Sequence, residues 1–420
     1  MFRALLAIMA AASPAAAAEA VFIHAGALIT DAAAPPRGPA TVVVENGRIA
    51  AIHDGAIAPA PGARLIDLSR YSLMPGLIDT HVHLISDPTV RASAVNQTPQ
   101  YGVAVALHNA NTLVQTGFTT VRDLGPDQFL SQAVRDAAAA GLHPAPRVVS
   151  AAMLSIIGGH GQLTGMNPDV MDALDRGTTC TGVDECTARV RLAARNGADA
   201  IKVMATGGWQ TRVGGRVAQF TDAELRAIVD TAHSLNMRAT AHASGAEGTA
   251  AAIRAGFDTI EHGTFGQENE ARLMRERGIT FSPTLSALNY LRETVGTGVY
   301  PPDVDARNAE IAAVMGRMFG AARRAGVRIV FGSDSGVFPH GRGIGEAELM
   351  ARLGGMTERE VLASATTVAA EVLGLSNETG RIATGMAADL IAVDGDPLRD
   401  LSALRRVRFV MARGRVVRQD

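Results

Sequence analysis

Short apolar runs, each closing on polar or glycine-containing sequence and followed by a helix-like stretch, recur through this chain and leave few folds open to it. Five of them end near a residue with metal or proton chemistry. They are Leu77-Ile78-Asp79-Thr80-His81-Val82-His83, Ala200-Ile201-Lys202-Val203-Met204, Ala239-Thr240-Ala241-His242, Asp258-Thr259-Ile260-Glu261-His262-Gly263 and Ile329-Val330-Phe331-Gly332-Ser333-Asp334. Thr119-Thr120-Val121-Arg122, Arg147-Val148-Val149-Ser150 and Thr280-Phe281-Ser282-Pro283-Thr284 complete a series of eight strands. Residues 222–237 read as helix, with Thr221 as N-cap and Glu224 three residues on, and 305–325 as another. Strand–helix alternation predicts a parallel sheet. Eight such units predict a distorted (β/α)8 TIM barrel, with its site at the C-terminal ends of the strands.

The two ends of the chain have a different texture. Thr41 to Ile52 reads as two strands around Asn46-Gly47, a strong hairpin signal. Ala388 to Val393 and Val407 to Met411 read as strands, and Arg413-Gly414-Arg415 turns into Val416-Val417. Neither end can bury a face alone, so the two are expected to pack together as one small β-sandwich domain. The predicted organisation is residues 1–18 as a signal peptide, 19–74 and 376–420 as the two parts of the sandwich, and 75–375 as the barrel.

Composition narrows the function. Lys+Arg number 39 and Asp+Glu 41, a balance that argues against nucleic acid or an anionic membrane as partner. Arg3, the apolar run Ala4 to Ala12 and the small residues Ala16-Ala17-Ala18 before Glu19 match a secretory signal peptide. The mature protein is then periplasmic or secreted, and no later apolar stretch is long enough for a membrane span. Cys180 and Cys186 are the only cysteines. A local disulfide and two free thiols are both open, and their spacing matches no zinc-binding pattern.

His81 and His83 are two apart on a strand, so both face one side. At a barrel mouth that pair is suited to chelating a divalent metal. Lys202, flanked by Ile201 and Val203, would face inward, where a bare ammonium is unfavourable. Carbamylation by carbon dioxide would make it a carboxylate able to bridge two metal ions. Snorkelling from the strand end, or binding a substrate carboxylate, is the other reading. Asp334 lies in Gly332-Ser333-Asp334-Ser335-Gly336, where it can be a turn former, a metal ligand or a proton acceptor. Asp79 is a candidate acceptor for His81, or a strand cap. Arg122 and Asp123 are expected to pair at a strand end. His24, His53, His108, His143 and His233 read as structural or solvated.

Pro75-Gly76-Leu77-Ile78-Asp79-Thr80-His81-Val82-His83, the lone strand lysine, the later strand-end histidines and the terminal-strand aspartate resemble the amidohydrolase superfamily. Gly117-Phe118-Thr119-Thr120-Val121-Arg122-Asp123 and the C-terminal Gly380 to Leu390, followed by Asp394-Gly395-Asp396-Pro397, are also similar to it. The closest resemblance is to its imidazolonepropionase-like, prolidase-like (Xaa-Pro dipeptidase-like) branch. That branch includes dipeptidases that release a C-terminal amino acid and ochratoxin-hydrolysing enzymes.

The resemblance implies two divalent metal ions, with zinc suited to the ligand set. His81, His83 and Asp334 would hold one, His242 and His262 the other, and N6-carboxylated Lys202 would bridge them. A bridging hydroxide would be the nucleophile. Asp334 would take its proton and return it to the leaving amine. His160, in Gly158-Gly159-His160-Gly161, resembles a position that stabilises the carbonyl oxygen in the transition state. Arg212, Tyr290, Arg292 and Arg342, in loops after strands four, seven and eight, are candidates to hold a substrate carboxylate. Ser244 departs from the Tyr of some prolidase-like relatives and weakens a strict Xaa-Pro assignment.

The expected protein is therefore an exported, binuclear metal-dependent amidohydrolase that cleaves a small amide or dipeptide and releases a C-terminal amino acid, with self-association open. Its rivals are a mononuclear cyclic-amide hydrolase or deaminase, a lactonase or phosphotriesterase on the same metals, and a periplasmic metal- or ligand-binding protein on a retired barrel.

Overall fold

A computed structural model describes residues 20–86, 88, 98–160, 167–175, 177–208 and 216–420. The proposed signal peptide and Arg212 lie outside them. No described helix is long and apolar enough to cross a membrane.

The ends of the chain form one seven-stranded sheet in the order β14-β13-β12-β4-β1-β2-β3. Its strands are β1 (Val21–Leu28), β2 (Ala40–Glu45), β3 (Arg48–Asp54), β4 (Arg64–Pro75), β12 (Leu390–Val393), β13 (Val407–Ala412) and β14 (Arg415–Gln419). The turn of the β2–β3 hairpin has positive φ at both Asn46 (51°) and Gly47 (77°), as an Asn-Gly turn requires. Arg413 (52°) and Gly414 (74°) repeat that geometry between β13 and β14. The twelve-residue β4 joins the two halves, pairing with β1 along most of its length and with β12 at its end. Ile23, Val42, Ile66 and Leu73 share one core with Leu390, Phe409 and Met411, so each end buries the other's apolar face.

The second sheet holds β5 (Leu77–Val82), β6 (Phe118–Asp123), β7 (Arg147–Leu154), β8 (Ala200–Met204), β9 (Arg238–Ala243), β10 (Thr259–His262) and β11 (Thr280–Ser282). They are parallel and in sequence order. The eighth strand expected from the sequence is an extended segment, residues 328–335, rather than a regular ladder. It still closes the ring. Phe281 N–H donates to the Arg328 carbonyl (2.9 Å), and Val330 N–H returns to the Phe281 carbonyl (3.0 Å). On the other side, Thr80 N–H donates to Phe331 (3.1 Å) and Asp334 N–H to His81 (2.8 Å). The ladder breaks because the chain crowds its neighbours here. A Cβ on Gly332 would lie 2.3 Å from Ser282 Oγ, and Asp334 turns into the left-handed region (φ 63°).

The helix over Asp222–Ser234 forms with the expected capping box between Thr221 and Glu224. The single helix expected over 305–325 is a pair, Pro302–Val314 and Arg317–Ala325. Gly316, at φ 80°, breaks it, since a left-handed residue cannot continue a right-handed helix.

Cys180 and Cys186 form a disulfide across a separation of six residues, and both are buried. It clips the start of the helix Gly182–Arg195 to a segment whose backbone pairs with Ser155 at the end of β7. Loop-closure entropy for so short a loop is about 2 kcal/mol. A Cys180→Ser/Cys186→Ser variant is expected to lose about that much stability, read as a lower urea midpoint.

Candidate active site

The barrel interior is polar where most barrels are filled by branched apolar side chains. Period-two alternation sends Lys202, Thr240, His242, Thr259 and Glu261 inward from three adjacent strands, in the register Lys202↔Thr240, Met204↔His242 and Glu261↔His242. His262, next to Glu261, would ordinarily point outward. A left-handed backbone (φ 71°) turns it back to the mouth. Such non-glycine conformations cost on the order of 1–3 kcal/mol each and gather at functional sites. His262 and Asp334 both adopt one.

The six residues that the sequence singles out converge. His83 Nε2 is 3.1 Å from Asp334 Oδ1 and His81 Nε2 is 3.4 Å from the same oxygen. Lys202 Nζ is 3.4 Å from His81 Nε2. His262 Nδ1 is 3.9 Å from Asp334 Oδ2, and the His242 and His262 rings meet edge to face at 4.6 Å. Ligand atoms of His81, His262 and Asp334 all lie within 4.8 Å of one another.

This donor set fits a cation. His81 Nδ1 is 2.8 Å from a Glu261 carboxylate oxygen and His83 Nδ1 is 2.8 Å from the Gly125 carbonyl. Each Nδ1 therefore carries the proton, and each Nε2 turns a lone pair toward Asp334 Oδ1, a buried oxygen that makes no hydrogen bond among the described residues. Acceptors facing acceptors repel unless positive charge lies between them.

The electrostatics agree for His81, His242 and His262, while His83 goes the other way: burial lowers it, but its contact with Asp334 outweighs that and raises it. Burial, with the charge of Lys202, lowers His81 to about 4. Burial, with the crowding of His160, His262 and Lys202 around it, holds His242 well below its ordinary value. For His262 burial is again the main cause, with Asp334 opposing. Neutral imidazoles are what metal binding requires. Burial opposes ionisation of Asp334, but positive charge on the side of His81, His83 and His262 outweighs it and lowers the group below the ordinary carboxylate range. Burial pushes the Lys202 amine down to about 8.

His160, in the loop after β7, packs edge-on against His242, with ring centroids 4.3 Å apart. Gly208 makes room for it, since a Cβ there would lie 2.5 Å from His160 Cε1. Burial lowers His160 to about 4, so it is neutral at ordinary pH.

Several expectations change. Arg122 does not pair with Asp123. Its guanidinium crosses the barrel to Glu261 (2.8 Å), and Asp123 instead accepts the Gly125 N–H (3.2 Å). Asp79 does not touch the His81 ring. It accepts the backbone N–H groups of His81 and Ser333, each at 3.0 Å, and so ties the first strand to the closing segment. Tyr290 and Arg342 line a groove of about 390 Å³ between the helices Leu285–Thr294 and Gly345–Gly354, whose walls include none of the six converging residues. Arg342 is held there by Glu293 (2.8 Å), and the exposed Arg292 by Asn289 (2.7 Å). Glu261 was missed altogether. Its only sequence signal is an inward register with Thr259 on a buried strand.

The amidohydrolase family profile matches residues 72–417. Ochratoxinase of Aspergillus niger is 31% identical over 416 residues, covering 94% of this chain and 85% of the relative. Imidazolonepropionase of Mesorhizobium japonicum is 26% identical over 400 residues, covering 84% of this chain and 87% of that one. A Xaa-Pro dipeptidase structure with methionine bound in its active site superposes with a TM-score of 0.86 at 32% identity, covering 95% of this chain and 99% of the other. Strand-end histidines, a polar barrel interior and a sheet built from both ends thus occur together with that likeness along the chain, which belongs to the amidohydrolase family of metal-dependent hydrolases, in its prolidase- and ochratoxinase-like branch, and acts on amide bonds.

Proposed function

We propose that this chain is a binuclear amidohydrolase that releases a C-terminal amino acid from small N-acyl amino acids or dipeptides. The observation that carries the reading is the buried Lys202 amine, 3.4 Å from His81 Nε2 and enclosed by groups that ligate metals. As a carboxylated side chain it would bridge two ions, zinc being suited to the set. His81, His83 and Asp334 would hold one and His242 and His262 the other. When bound, the ions would polarise the scissile carbonyl and supply a water acidified toward neutrality.

The remaining work falls to side chains. Asp334, ionised and buried, accepts the proton that the attacking water releases and delivers it to the amide nitrogen, so that the C–N bond breaks with a neutral amine leaving. His160 stays neutral and offers one ring N–H toward the carbonyl oxygen as charge gathers there. Its Nδ1 is buried and has no hydrogen-bond partner among the described residues. The Xaa-Pro dipeptidase and ochratoxinase relatives support the amide class, and Ser244 leaves the amino-acid preference open.

Protein loaded with zinc and bicarbonate is expected to hold two metal ions per chain and to lose activity to a chelator. One ion, with Lys202 unmodified by mass spectrometry, overturns the binuclear reading. Dipeptides and N-acyl amino acids are expected to be cleaved faster than their carboxamide-blocked forms. Equal rates remove the carboxylate requirement, and faster cleavage of lactones or phosphotriesters moves the enzyme to another class. Because Arg292 and Arg342 are engaged elsewhere, Arg292→Ala and Arg342→Ala should leave KM within about twofold, as rim charges that miss the substrate do.

We also propose export. The basic, apolar and small-residue segments of residues 1–18 and the Cys180–Cys186 disulfide support it. N-terminal sequencing of protein from the periplasm or medium should begin near Glu19. Cytoplasmic protein that retains Met1 would refute export.

A further inference from the structure

Beneath the site, Arg122 (1% exposed) and Glu261 (0%) form an ion pair inside the barrel. Isolation of such a pair from water is unfavourable, and apolar side chains of the same volume often serve stability as well or better. Its contacts are directed at one residue. Glu261 Oε2 is 2.8 Å from His81 Nδ1. Glu261 Oε1 accepts from Arg122 Nη2 (2.8 Å) and from the Thr240 hydroxyl (2.5 Å), with Thr259 Oγ1 2.6 Å away. Arg122 Nε donates to the carbonyl of Thr80 (2.7 Å), the peptide that leads into His81. His81 is thus gripped at its ring and at its backbone by two halves of one ion pair.

Apart from Asp334, which His81, His83 and His262 share, the partners of the other three candidate histidines are neutral. His83 meets the Gly125 carbonyl, His262 the Thr284 hydroxyl, and His242 the Ser244 hydroxyl and Gly207 carbonyl. We infer that Glu261 and Arg122 are a positioning pair for His81. The carboxylate fixes the Nδ1–H tautomer, keeps the Nε2 lone pair turned toward Asp334 and Lys202, and makes that nitrogen a stronger metal donor than its three counterparts. Arg122 holds the carboxylate in place, and Thr240 and Thr259 fix its orientation. The inference rests on the reading of His81 as a metal ligand and deepens it by naming what sets that ligand's protonation and strength.

Glu261→Gln tests it. The amide keeps one acceptor for Arg122 but turns an NH₂ group toward His81 Nδ1, which must then accept. In metal-free protein labelled with ¹⁵N-histidine, His81 is expected to switch from the Nδ1–H to the Nε2–H tautomer, with its signals assigned from His81→Asn. Zinc affinity, measured by competition with a chelating dye, should fall about 10–100-fold. Arg122→Lys keeps the charge but loses the bond to Thr80, and should weaken zinc less while leaving the tautomer unchanged. It also decides the matter if Glu261→Gln does not fold. An unswitched His81 in Glu261→Gln, or parent zinc affinity in every variant that folds, overturns the pair. An unsubstituted protein that binds no zinc refutes instead the ligand role of His81.

Discussion

Asp334→Asn is expected to lower turnover by at least about 10²–10⁴-fold, the usual contribution of a positioned general acid–base, with any weakening of metal binding added to that. The substitution is isosteric, and the backbone should tolerate it. Asp334 sits at φ 63°, and asparagine enters the left-handed region as readily as aspartate. What changes is charge. The carboxylate that meets His83 Nε2 at 3.1 Å and His81 Nε2 at 3.4 Å becomes neutral, and the proton acceptor is gone. Thermal unfolding and circular dichroism should match the parent while kcat collapses. Measuring kcat at saturating zinc separates the proton role from the ligand role, because an occupied but inactive variant has lost the acceptor. Turnover within about tenfold of the parent would rule out Asp334 as proton carrier.

The fold was legible where local chemistry decides it. Asn46-Gly47 dictates its hairpin, and Thr221 with Glu224 dictates the start of a helix, since in each case a few neighbouring residues satisfy one another. The converging set was legible for a related reason. Barrel topology brings strand ends together, so His81, Lys202, His242, His262 and Asp334 meet although hundreds of residues separate the first from the last. What stayed hidden depends on partners that no local pattern encodes. Adjacency pairs Arg122 with Asp123, but its partner Glu261 is 139 positions away and reaches it only across the closed barrel. Arg342 looked like a free rim cation until the Leu285–Thr294 helix placed Glu293 beside it. Two glycines, Gly316 and Gly320, lie in the pattern over 305–325, and only Gly316 breaks it, since a glycine inside a helical pattern is often tolerated. The left-handed turn of His262 has no sequence signature, and without it alternation would point that ring out of the site.

Lys202→Ala is expected to remove measurable turnover and to leave the metal-free fold as stable as the parent or more so. Lys202 is 1% exposed, and in the unmodified state its charge is an unfavourable burden on the barrel interior, which alanine relieves. Its value is chemical. In the proposed bridge the neutral amine would attack the carbon of CO₂, a C–N bond would form, one C=O pair would move onto oxygen, and the nitrogen would lose its proton to leave a carboxylated side chain. That reaction needs the unprotonated amine, and burial supplies it. With a value near 8, roughly one amine in ten is neutral at pH 7, against fewer than about one in a thousand for an ordinary lysine. The sign of the pH dependence follows. Stripped protein, given zinc at fixed dissolved CO₂, should regain activity faster as pH rises toward about 8 and level off above it, because the neutral fraction then saturates. In Lys202→Ala the vacated space can admit a short carboxylic acid, so acetate or propionate should restore part of the activity that zinc alone does not. A Lys202→Ala variant with parent turnover would show that no bridge is needed. Reactivation of the parent that ignores CO₂ would show that the lysine acts as an amine.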